Sequence, residues 1–171
     1  TGGSDIIASL SGSDIIFSAP LNYNGSELFT VSVGDAQYND SQDITVTVNP
    51  VNDAPVLTDI SDQVIDEDTS LTYSVLASDV DGDDLTYSAS IDGNGSIDIT
   101  GTDLTIIPDA DFNGSIVASV IVSDGEYTDS DTFILTVNAV NDAPVLANVS
   151  EVSFDEDQAG SISLTASDID G

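Results

Sequence analysis

The chain contains no Lys, Arg, His, Cys, Met or Trp, whereas Asp and Glu together account for 32 of its 171 residues. The formal net charge is therefore -32. Without a basic side chain the protein has no cationic group for phosphate, which argues against nucleic-acid binding and against attraction to anionic membranes. Catalytic groups built on His, Cys or Lys are excluded as well, and only carboxylates and hydroxyls remain. The composition predicts a non-enzymatic protein whose partners are cations or neutral surfaces.

The chain is nevertheless too apolar for a disordered protein. Hydrophobic residues make up 40% of the sequence, so folded domains are expected. The longest apolar stretch, Ile116–Val122, is interrupted by a serine and is far shorter than the ~20 residues of a membrane span, which predicts no direct membrane insertion. Residues Thr1–Leu10 have neither the basic start nor the apolar run of a secretory signal, so any export signal is expected outside this sequence.

An internal repeat of 89 residues organises the sequence. The segment Val51–Leu57 recurs unchanged as Val140–Leu146, and the difference 140 − 51 gives the offset of 89. The same offset maps Asp66–Asp68 onto Asp155–Asp157, and the alignment needs no gap. Two full repeats would require 2 × 89 = 178 residues, so we expect the chain to be part of a longer array.

Three divisions follow from this period. Residues 1–52 are predicted to be the C-terminal part of one repeat, residues 53–141 a complete repeat, and residues 142–171 the N-terminal part of the next. The last division supplies early strands and the first supplies late ones. A filament assembled by exchange of half-domains between chains is therefore an alternative to one continuous array.

Each repeat shows the pattern of strands separated by turns, which predicts an all-β, immunoglobulin-like sandwich of two sheets. Pairs such as Asp81-Gly82 and Asn113-Gly114 supply turn chemistry between the apolar segments. The repeat offset places Ile162–Ala166 in the register of Tyr73–Ala77, so the apolar side chains of both segments are expected to face inward. Seven strands are predicted in the complete repeat, near Gln63–Asp66, Leu71–Ala77, Leu85–Ile91, Ser96–Thr100, Asp103–Ile107, Ser115–Val122 and Thr132–Asn138.

Acidic residues form four clusters at turns and strand ends, namely Asp66–Asp68, Asp79–Asp84, Asp109–Asp111 and Asn52-Asp53. Like charges this close repel, and clustering without a basic residue costs stability unless a cation is bound. Calcium takes roughly 6 to 8 oxygen ligands from carboxylates, amide carbonyls and the backbone, which are the ligands available here. Zinc and copper sites would require His or Cys. The clusters therefore predict calcium as the cofactor.

The acidic residues have other interpretations. Asp79–Gly82 resembles the start of an EF-hand loop, but its glycine comes two positions early and Ser90 stands where that loop needs glutamate, so an EF-hand is rejected. Asp81-Gly82 is also typical of a hairpin turn, and Asp66–Asp68 of a solvated strand end. Excess acid for solubility at high salt is an additional pressure, although it does not require clustering.

In combination, several motifs resemble the cadherin-like tandem repeats of very large bacterial surface proteins. The motifs are Val51–Pro55, Asp66–Thr69, Ala77–Gly82, Asp111–Gly114, Val122–Gly125 and Val137-Asn138, and the match covers the entire chain. The resemblance implies an immunoglobulin-like sandwich in each repeat, repeats joined head to tail, and a place in secreted adhesins or biofilm proteins. It also implies calcium ions between successive domains.

The resemblance assigns ligands by position. Glu67 resembles the early glutamate of a cadherin repeat, Asp79 and Asp81 resemble its Asp-x-Asp pair, and Asp124 resembles its later lone aspartate. Asn138 stands where the linker usually has an aspartate. With the acidic clusters and the repeat offset added, the candidate metal ligands are Asn52, Asp53, Glu67, Asp79, Asp81, Asp109, Asp111, Asp124, Asn138, Asn141, Asp142, Glu156, Asp168 and Asp170.

The two joints between repeats are expected to differ in charge. The joint near Asp142 is predicted to draw on six carboxylates, those of Glu67, Asp109, Asp111, Asp142, Asp168 and Asp170. The joint near Asp53 is predicted to draw on four, those of Asp53, Asp79, Asp81 and Asp124. Pro20 and Asn22 occupy the positions that correspond to Asp109 and Asp111, so weaker calcium binding is expected at the Asp53 joint.

Taken together, the sequence predicts a calcium-stiffened spacer of an extracellular surface fibre or adhesin, which acts in adhesion or in a biofilm matrix. The expected partners are calcium ions and neighbouring repeats of the same chain or of like chains. One alternative is a module that binds a glycan or a protein, for which Tyr38 and Tyr127 are the aromatic residues expected to be exposed. A glycoside hydrolase would need two carboxylates about 5 to 9.5 Å apart in a cleft, which a small repeated sandwich does not offer.

Overall fold

The computed structural model describes residues 5–170, and all of its regular secondary structure is β-strand, which confirms the all-β prediction. Within residues 5–170 there is no helix with the length and apolar character of a membrane span. We name three parts of the chain by the repeat period: the N-terminal segment (residues 5–52), the central unit (residues 53–141) and the C-terminal segment (residues 142–170).

The strands follow one another in chain order with short connections. The N-terminal segment contains β1 (Ile7–Ser11), β2 (Asp14–Ser18), β3 (Gly25–Gly34) and β4 (Asn39–Val48). The central unit contains β5 (Val56–Leu57), β6 (Gln63–Asp66), β7 (Leu71–Ser74), β8 (Ala77–Ser78), β9 (Thr86–Ile91), β10 (Gly95–Thr100), β11 (Asp103–Pro108), β12 (Gly114–Ser123) and β13 (Thr128–Asn138). The C-terminal segment contains β14 (Val145–Leu146) and β15 (Ala166–Ser167).

The central unit is a β-sandwich. One sheet has the order β6-β13-β12-β9 and the other the order β10-β11-β7, while β5 pairs with β8. The pairs are antiparallel except for β6 and β13, which run parallel. The first long strand of the unit therefore lies beside its last strand, so both ends of the unit are tied into one sheet.

The core lies between the two sheets, and the alternation of side chains along each strand builds it. On β12 the inward residues Ile116, Ala118, Val120 and Val122 are fully buried, and so is Leu135 on the neighbouring strand β13. The opposing sheet contributes fully buried residues from β11, and β5 adds Leu57. The sandwich thus depends on strands from the beginning, the middle and the end of the unit.

Two details of the strands differ from the sequence prediction. The segment Leu71–Ala77 was expected to be one strand, but it is divided into β7, which pairs with β11, and β8, which pairs with β5. Between them the N–H of Val75 donates to the carbonyl of Thr102, and the carbonyl of Leu76 accepts from Thr58. The chain changes pairing partners at this point, and its partner β5 was not predicted.

Carboxylates replace some of the ladder hydrogen bonds at the edge of the sandwich. Asp129 and Asp131, on β13, accept hydrogen bonds from the backbone N–H groups of Leu57 (2.8 Å) and Ile60 (2.6 Å). The side chain of Asp62 accepts in return from the N–H of Ile134 (2.8 Å). These bonds fasten residues 57–62 to β13 without strand pairing.

The N-terminal segment consists of two antiparallel hairpins, β1-β2 and β3-β4. The rings of Phe17 and Phe29 meet edge to face, with their centroids 5.1 Å apart. Glu27 takes the position of the buried core residue Ile116, and one of its oxygens accepts from the Tyr23 hydroxyl (3.3 Å). Burial, followed by the charge of Glu27, raises the pKa of Tyr23.

In the C-terminal segment, β14 and β15 form a two-residue antiparallel pair, as β5 and β8 do in the central unit. The prediction that the apolar face of Ile162–Ala166 points inward is wrong for this structure, because Ile162 is 43% exposed and Leu164 63% exposed. Val75, the counterpart of Leu164 in the central unit, is fully buried. The strands that cover Val75 have no counterpart over Leu164 within the described residues.

The first prediction concerns the inward and outward positions of β12. We expect Val122→Ala to lower the free energy of unfolding of the central unit by about 2 kcal/mol, because it removes two buried methyl groups and leaves a cavity. Val117→Ala on the same strand is the matched control, since Val117 is 44% exposed, and it should cost less than about 0.5 kcal/mol. Chemical denaturation of the full chain measures both; equal losses would contradict the assigned register.

Candidate metal centres

The two Asn-Asp-Ala-Pro linkers make the same backbone contact with the segment that follows them. The N–H of Asp142 donates to Oδ2 of Asp170 at 2.5 Å, and the N–H of Asp53 donates to Oδ2 of Asp81 at 2.8 Å. In each case the acceptor is the second aspartate of an Asp-x-Asp pair. The linker aspartate and this pair are therefore held together in both copies of the motif.

A set of five carboxylates lies around Asp142, and we call it the Asp142 cluster. Carboxylate oxygens of Glu67, Asp142 and Asp170 lie within 4.8 Å of one another. A second group, formed by Asp68, Asp111 and the same Asp142, satisfies the same limit. Asp142 thus belongs to both groups, and carboxylates from four parts of the chain lie around it.

The pairing of β6 with β13 explains why Glu67 lies there. Glu67 directly follows β6, and its N–H donates to the carbonyl of Asn138 at the end of β13 (2.9 Å). Its side chain accepts a short hydrogen bond from the N–H of Val140 and is only 4% exposed. A carboxylate at the start of the central unit is therefore held against the linker that leaves it.

The carboxylates of Asp68 and Asp111 lie beside that of Asp142, and both residues have left-handed backbone conformations. Their φ angles are 59° and 58°, a region that Asp and Asn adopt more readily than most other residues. Oδ1 of Asp68 accepts from the N–H of Asp111 at 3.2 Å. The Asp68 turn and the loop before β12 are thereby joined beside Asp142.

A smaller group, the Asp79 cluster, contains Asp79, Asp81 and Asp83, whose carboxylate oxygens also lie within 4.8 Å of one another. Oδ1 of Asp79 accepts from the N–H groups of Asp81 (2.8 Å), Gly82 (3.0 Å) and Asp83 (3.4 Å). Oδ2 of Asp79 is buried and has no hydrogen-bond partner within residues 5–170. A buried, partnerless carboxylate oxygen in an all-oxygen set fits a hard cation such as Ca²⁺.

One carboxyl in each cluster has a raised pKa. Burial, followed by the charges of Asp79 and Asp81, raises the pKa of Asp83. Burial, followed by the charges of Asp170 and Asp111, raises the pKa of Asp142. The carboxyls of Asp83 and Asp142 therefore hold their protons more tightly than an ordinary aspartate does, which is the expected response of partly desolvated acids beside like charges.

Both carboxylate oxygens of Asp124 accept hydrogen bonds. Oδ1 accepts from the N–H groups of Tyr127 (2.6 Å) and Glu126 (2.7 Å), and Oδ2 accepts from the amide of Asn52 (2.9 Å). The bond from Tyr127 is the main reason why the pKa of Asp124 is lowered. Asp124 orders the turn before β13 and fixes the linker residue Asn52 at the same time.

A cavity lies beside Asp53, in the region that corresponds to the Asp142 cluster. The cavity has a volume of about 260 Å³ and is lined by residues that include Asn22, Asp53 and Asp81, the counterparts of Asp111, Asp142 and Asp170. Asn22 has a φ of 59°, so it presents an amide from the same backbone conformation in which Asp111 presents a carboxylate. At this pair of positions the two joints therefore differ by one side chain, a carboxylate at Asp111 and an amide at Asn22.

The structure groups some of the predicted ligands and separates others. Six predicted residues lie in the two clusters: Glu67, Asp79, Asp81, Asp111, Asp142 and Asp170. Within residues 5–170 the remaining eight lie outside these three-carboxylate groups: Asn52, Asp53, Asp109, Asp124, Asn138, Asn141, Glu156 and Asp168. Several of the eight have local roles. Asn138 donates to Asp66 (3.2 Å), Asn141 donates to the carbonyl of Asp142 (2.7 Å), and Asp168 accepts from the N–H of Asp170 (3.1 Å).

Two cluster members were not among the candidate ligands. Asp68 and Asp83 lie in acidic clusters that the sequence shows, but the cadherin-like pattern does not mark their positions. The signal that could have found Asp68 is its place beside Glu67 in a turn, where a left-handed residue directs its side chain back toward the linker.

A curated relative matches part of the chain. Chitinase A from Pseudoalteromonas piscicida is 37% identical over 110 residues, which cover 63% of this chain and 13% of that protein. The match thus spans only a small part of the length of the relative.

Several solved structures are similar at low sequence identity. Drosophila N-cadherin EC1-3 is 14% identical with a TM-score of 0.45, covering 75% of this chain and 47% of that chain. Human protocadherin-24 EC1-2 is 20% identical with a TM-score of 0.41, covering 69% and 62%. An endo-fucoidan hydrolase of glycoside hydrolase family 107 is 18% identical with a TM-score of 0.40, covering 82% and 23%.

A match to a protein-family model shows the family of the chain. The model described as bacterial Ig domain matches residues 52–138, just over half of the chain and nearly the whole central unit. The all-β sandwich of that unit has the architecture which this description names. The chain belongs to the bacterial Ig domain family.

Proposed function

We propose that this chain is a calcium-stiffened structural spacer, built from head-to-tail immunoglobulin-like repeats, in an extracellular surface fibre or adhesin. The observation that carries the proposal is the Asp142 cluster, which gathers five carboxylates from the start of the central unit, its middle, its linker and the following segment. No basic side chain exists anywhere in the sequence to neutralise them. A bound cation is the charge that this arrangement lacks.

In the proposed site, Glu67, Asp68, Asp111, Asp142 and Asp170 hold Ca²⁺ at the joint, and the Asp79 cluster holds a further ion. Calcium accepts carboxylate and carbonyl oxygens in flexible geometry, which suits ligands from separate loops. Binding converts repulsion between the central unit and the C-terminal segment into attraction to a shared ion. The joint then resists bending because ligands on both sides are fixed to that ion.

An extracellular location follows from the same proposal. Extracellular calcium modules bind with dissociation constants of about 10⁻⁴ to 10⁻³ M, and joints of this type are filled only where calcium is that abundant. The match to a segment of a chitinase is consistent with a spacer inside a larger, secreted bacterial protein. In such a protein this chain would separate functional domains without taking part in catalysis.

Glycan binding is a second candidate function. Tyr38 is 76% exposed and Tyr127 is 45% exposed, and both end the same Asp-ordered turn in successive repeats. Exposed aromatic rings offer stacking surfaces for sugars. We place this second, because each repeat contributes a single tyrosine at this position, whereas the carboxylates form groups.

Calcium removal is the direct test of the spacer. We expect calcium to raise the melting temperature of the full chain and to increase its maximum dimension in small-angle scattering, because the joint becomes ordered. Asp142→Asn should remove most of the thermal shift, since Asp142 belongs to both carboxylate groups. Differential scanning calorimetry and scattering, each in calcium and in chelator, measure the two effects.

Asp59→Asn is the matched control for Asp142→Asn. Asp59 is exposed, and the repeat itself has asparagine at the corresponding position, Asn148. The control should keep the full calcium response. Identical melting curves and dimensions with and without calcium in the unmodified chain would refute the proposal.

Lowering the pH should reduce the effect of calcium on the melting temperature. Asp83 and Asp142 have raised pKa values, so the stability they contribute is complete below their ordinary value of 3.8 and is lost as pH rises through the folded-state pKa. Lowering the pH from about 7 toward 3.8 should therefore raise the melting temperature of the calcium-free protein while it shrinks the shift caused by calcium. Asp35 and Asp124 have lowered pKa values and lose stability only below 3.8. A calcium-induced shift that grows on acidification would contradict this mechanism.

The two joints should differ because of one residue pair. We expect Asp111→Asn to weaken calcium binding at the Asp142 cluster by about tenfold and Asn22→Asp to strengthen it near Asp53, since affinity rises with ligand charge. Both substitutions keep a residue that tolerates the observed φ of 58° and 59°. Calcium titration followed by NMR signals at each linker distinguishes the joints. Unchanged affinity in both variants would exclude these two positions as ligands.

A further inference from the structure

The tripeptide Asn-Gly-Ser occurs three times in the chain, at residues 24–26, 94–96 and 113–115. The asparagine is exposed in each copy. When glycine follows asparagine, the backbone nitrogen of the glycine can attack the side-chain amide, because the glycine has no Cβ to shield that nitrogen. The attack releases ammonia and converts the asparagine. Three identical tripeptides thus offer the same spontaneous modification, and the fold decides which of the three nitrogens is free to react.

The N–H of Gly114 is held in the β12-β13 ladder. The N–H of Asp92 donates to the carbonyl of Val117, so the odd-numbered residues of β12 direct their backbone groups toward β9. Even-numbered residues of β12, among them Gly114, direct theirs toward β13. Gly114 lies opposite Val137, and its N–H donates to the carbonyl of that residue. The nitrogen that follows Asn113 is therefore occupied.

The N–H of Gly25 is held in the same way in the β3-β4 hairpin. The N–H of Asp35 donates to the carbonyl of Tyr38, which makes Gly34 and its partner a non-hydrogen-bonded pair. The two kinds of pair alternate along an antiparallel ladder, and 34 − 25 = 9 steps separate Gly34 from Gly25. Gly25 and Val48 therefore form a hydrogen-bonded pair, and the nitrogen that follows Asn24 is occupied as well.

Gly95 differs because its partner in the ladder is a proline. Gly95 lies opposite Pro108, which has no N–H, and the N–H of Asp109 donates to the carbonyl of Asn94. Gly95 and Pro108 are therefore a non-hydrogen-bonded pair, in which the N–H of Gly95 points away from β11. In the described part of the chain β10 is an edge strand, paired with β11 alone. The nitrogen that follows Asn94 thus has no ladder partner.

The fold also retains this glycine and this asparagine. A Cβ on Gly95 would lie 2.5 Å from the carbonyl oxygen of Ile107 and 2.9 Å from Cα of Pro108, and both contacts are with backbone atoms. Asn94 has a φ of 59°, a conformation that asparagine adopts more readily than most residues. The close approach of β10 to β11 therefore requires the residue that leaves the nitrogen unshielded.

We propose that Asn94 is the site at which this protein deamidates in its folded state. The nitrogen of Gly95 forms a bond to Cγ of Asn94 and loses its proton, while the Cγ–Nδ2 bond breaks and Nδ2 leaves as ammonia with the added proton. Water then opens the resulting succinimide ring at either of its two carbonyls. One opening gives aspartate, and the other gives isoaspartate, in which the backbone runs through the side chain.

The reaction changes the connection between the two sheets of the central unit. Residues 92–94 join β9 in one sheet to β10 in the other. Both products add a carboxylate two residues after Asp92, which itself accepts the N–H of Val117 at 3.0 Å. Isoaspartate also adds a methylene group to the backbone of this turn. The modified protein thus carries one more negative charge, and its isoaspartate form has a longer connection between the sheets.

The rate at each asparagine can be measured in the full folded chain, incubated in mildly alkaline buffer and then digested for mass spectrometry. Pepsin after an acid quench provides the peptides, since the chain has no Lys or Arg for trypsin. We expect Asn94 to deamidate at least about tenfold faster than Asn24 and Asn113, because at those two a ladder hydrogen bond must open first. Isomerisation of Asp-Gly pairs leaves the mass unchanged, so the mass gain counts deamidation alone.

Two substitutions assign the fast reaction. Asn94→Gln should abolish it, because glutamine would have to close a larger ring. Asn113→Gln is the matched control in an identical tripeptide and should leave the fast reaction unchanged. Circular dichroism before and after incubation checks that each chain remains folded.

Denaturant tests the role of the fold. In the unfolded chain no ladder hydrogen bond remains, so the three tripeptides should deamidate at similar rates. A folded chain in which Asn94 reacts no faster than Asn24 and Asn113 would overturn the proposal. A lead of Asn94 that persists unchanged in denaturant would overturn it as well, because the selectivity would then come from the neighbouring sequence and not from the free N–H of Gly95.

Discussion

Repulsion among carboxylates that no basic side chain can offset is the constraint on which this structure depends. In the fold, many of these carboxylate oxygens accept hydrogen bonds from backbone N–H groups. Asp129 and Asp131 do so at the edge of the sandwich, and Asp124 does so in a turn. Hydrogen bonds to the charged form stabilise it. The joints are the exception, because there carboxylates face one another, and burial together with the charges of Asp170 and Asp111 raises the pKa of Asp142.

The strands of the central unit could be predicted from the sequence because turn residues and period-two alternation are local signals. The division between β7 and β8 could not, since it reflects a change of partner from β11 to β5. The inward orientation expected for Leu164 failed for a related reason. Alternation determines which side chains share a face, but burial requires a second sheet.

The residues of the candidate site that the repeat offset and the cadherin-like motifs mark could be predicted from the sequence. Glu67, Asp142 and Asp170 were found because the repeat offset and the family-like pattern both mark them. Asp68 was not, since its approach to Asp142 depends on a left-handed backbone conformation that a one-dimensional pattern does not specify. Asp109 was included because its spacing matched, yet the three-carboxylate groups contain its neighbour Asp111 instead. The spacing of the motif identified the loop that contains both aspartates. The left-handed backbone conformation of Asp111 places that residue, and not Asp109, in the carboxylate group.

The parallel pairing of β6 with β13 has a mechanical consequence. The chain enters the central unit through β5, continues into β6 and leaves the unit after β13. Strands β6 and β13 point in the same direction, with Gln63–Asp66 beside Leu135–Asn138. A pulling force applied to the two ends of the unit therefore draws these strands past each other along their own axes. Their hydrogen bonds are loaded together in shear rather than opened one after another, so the unit resists extension at this pair of strands.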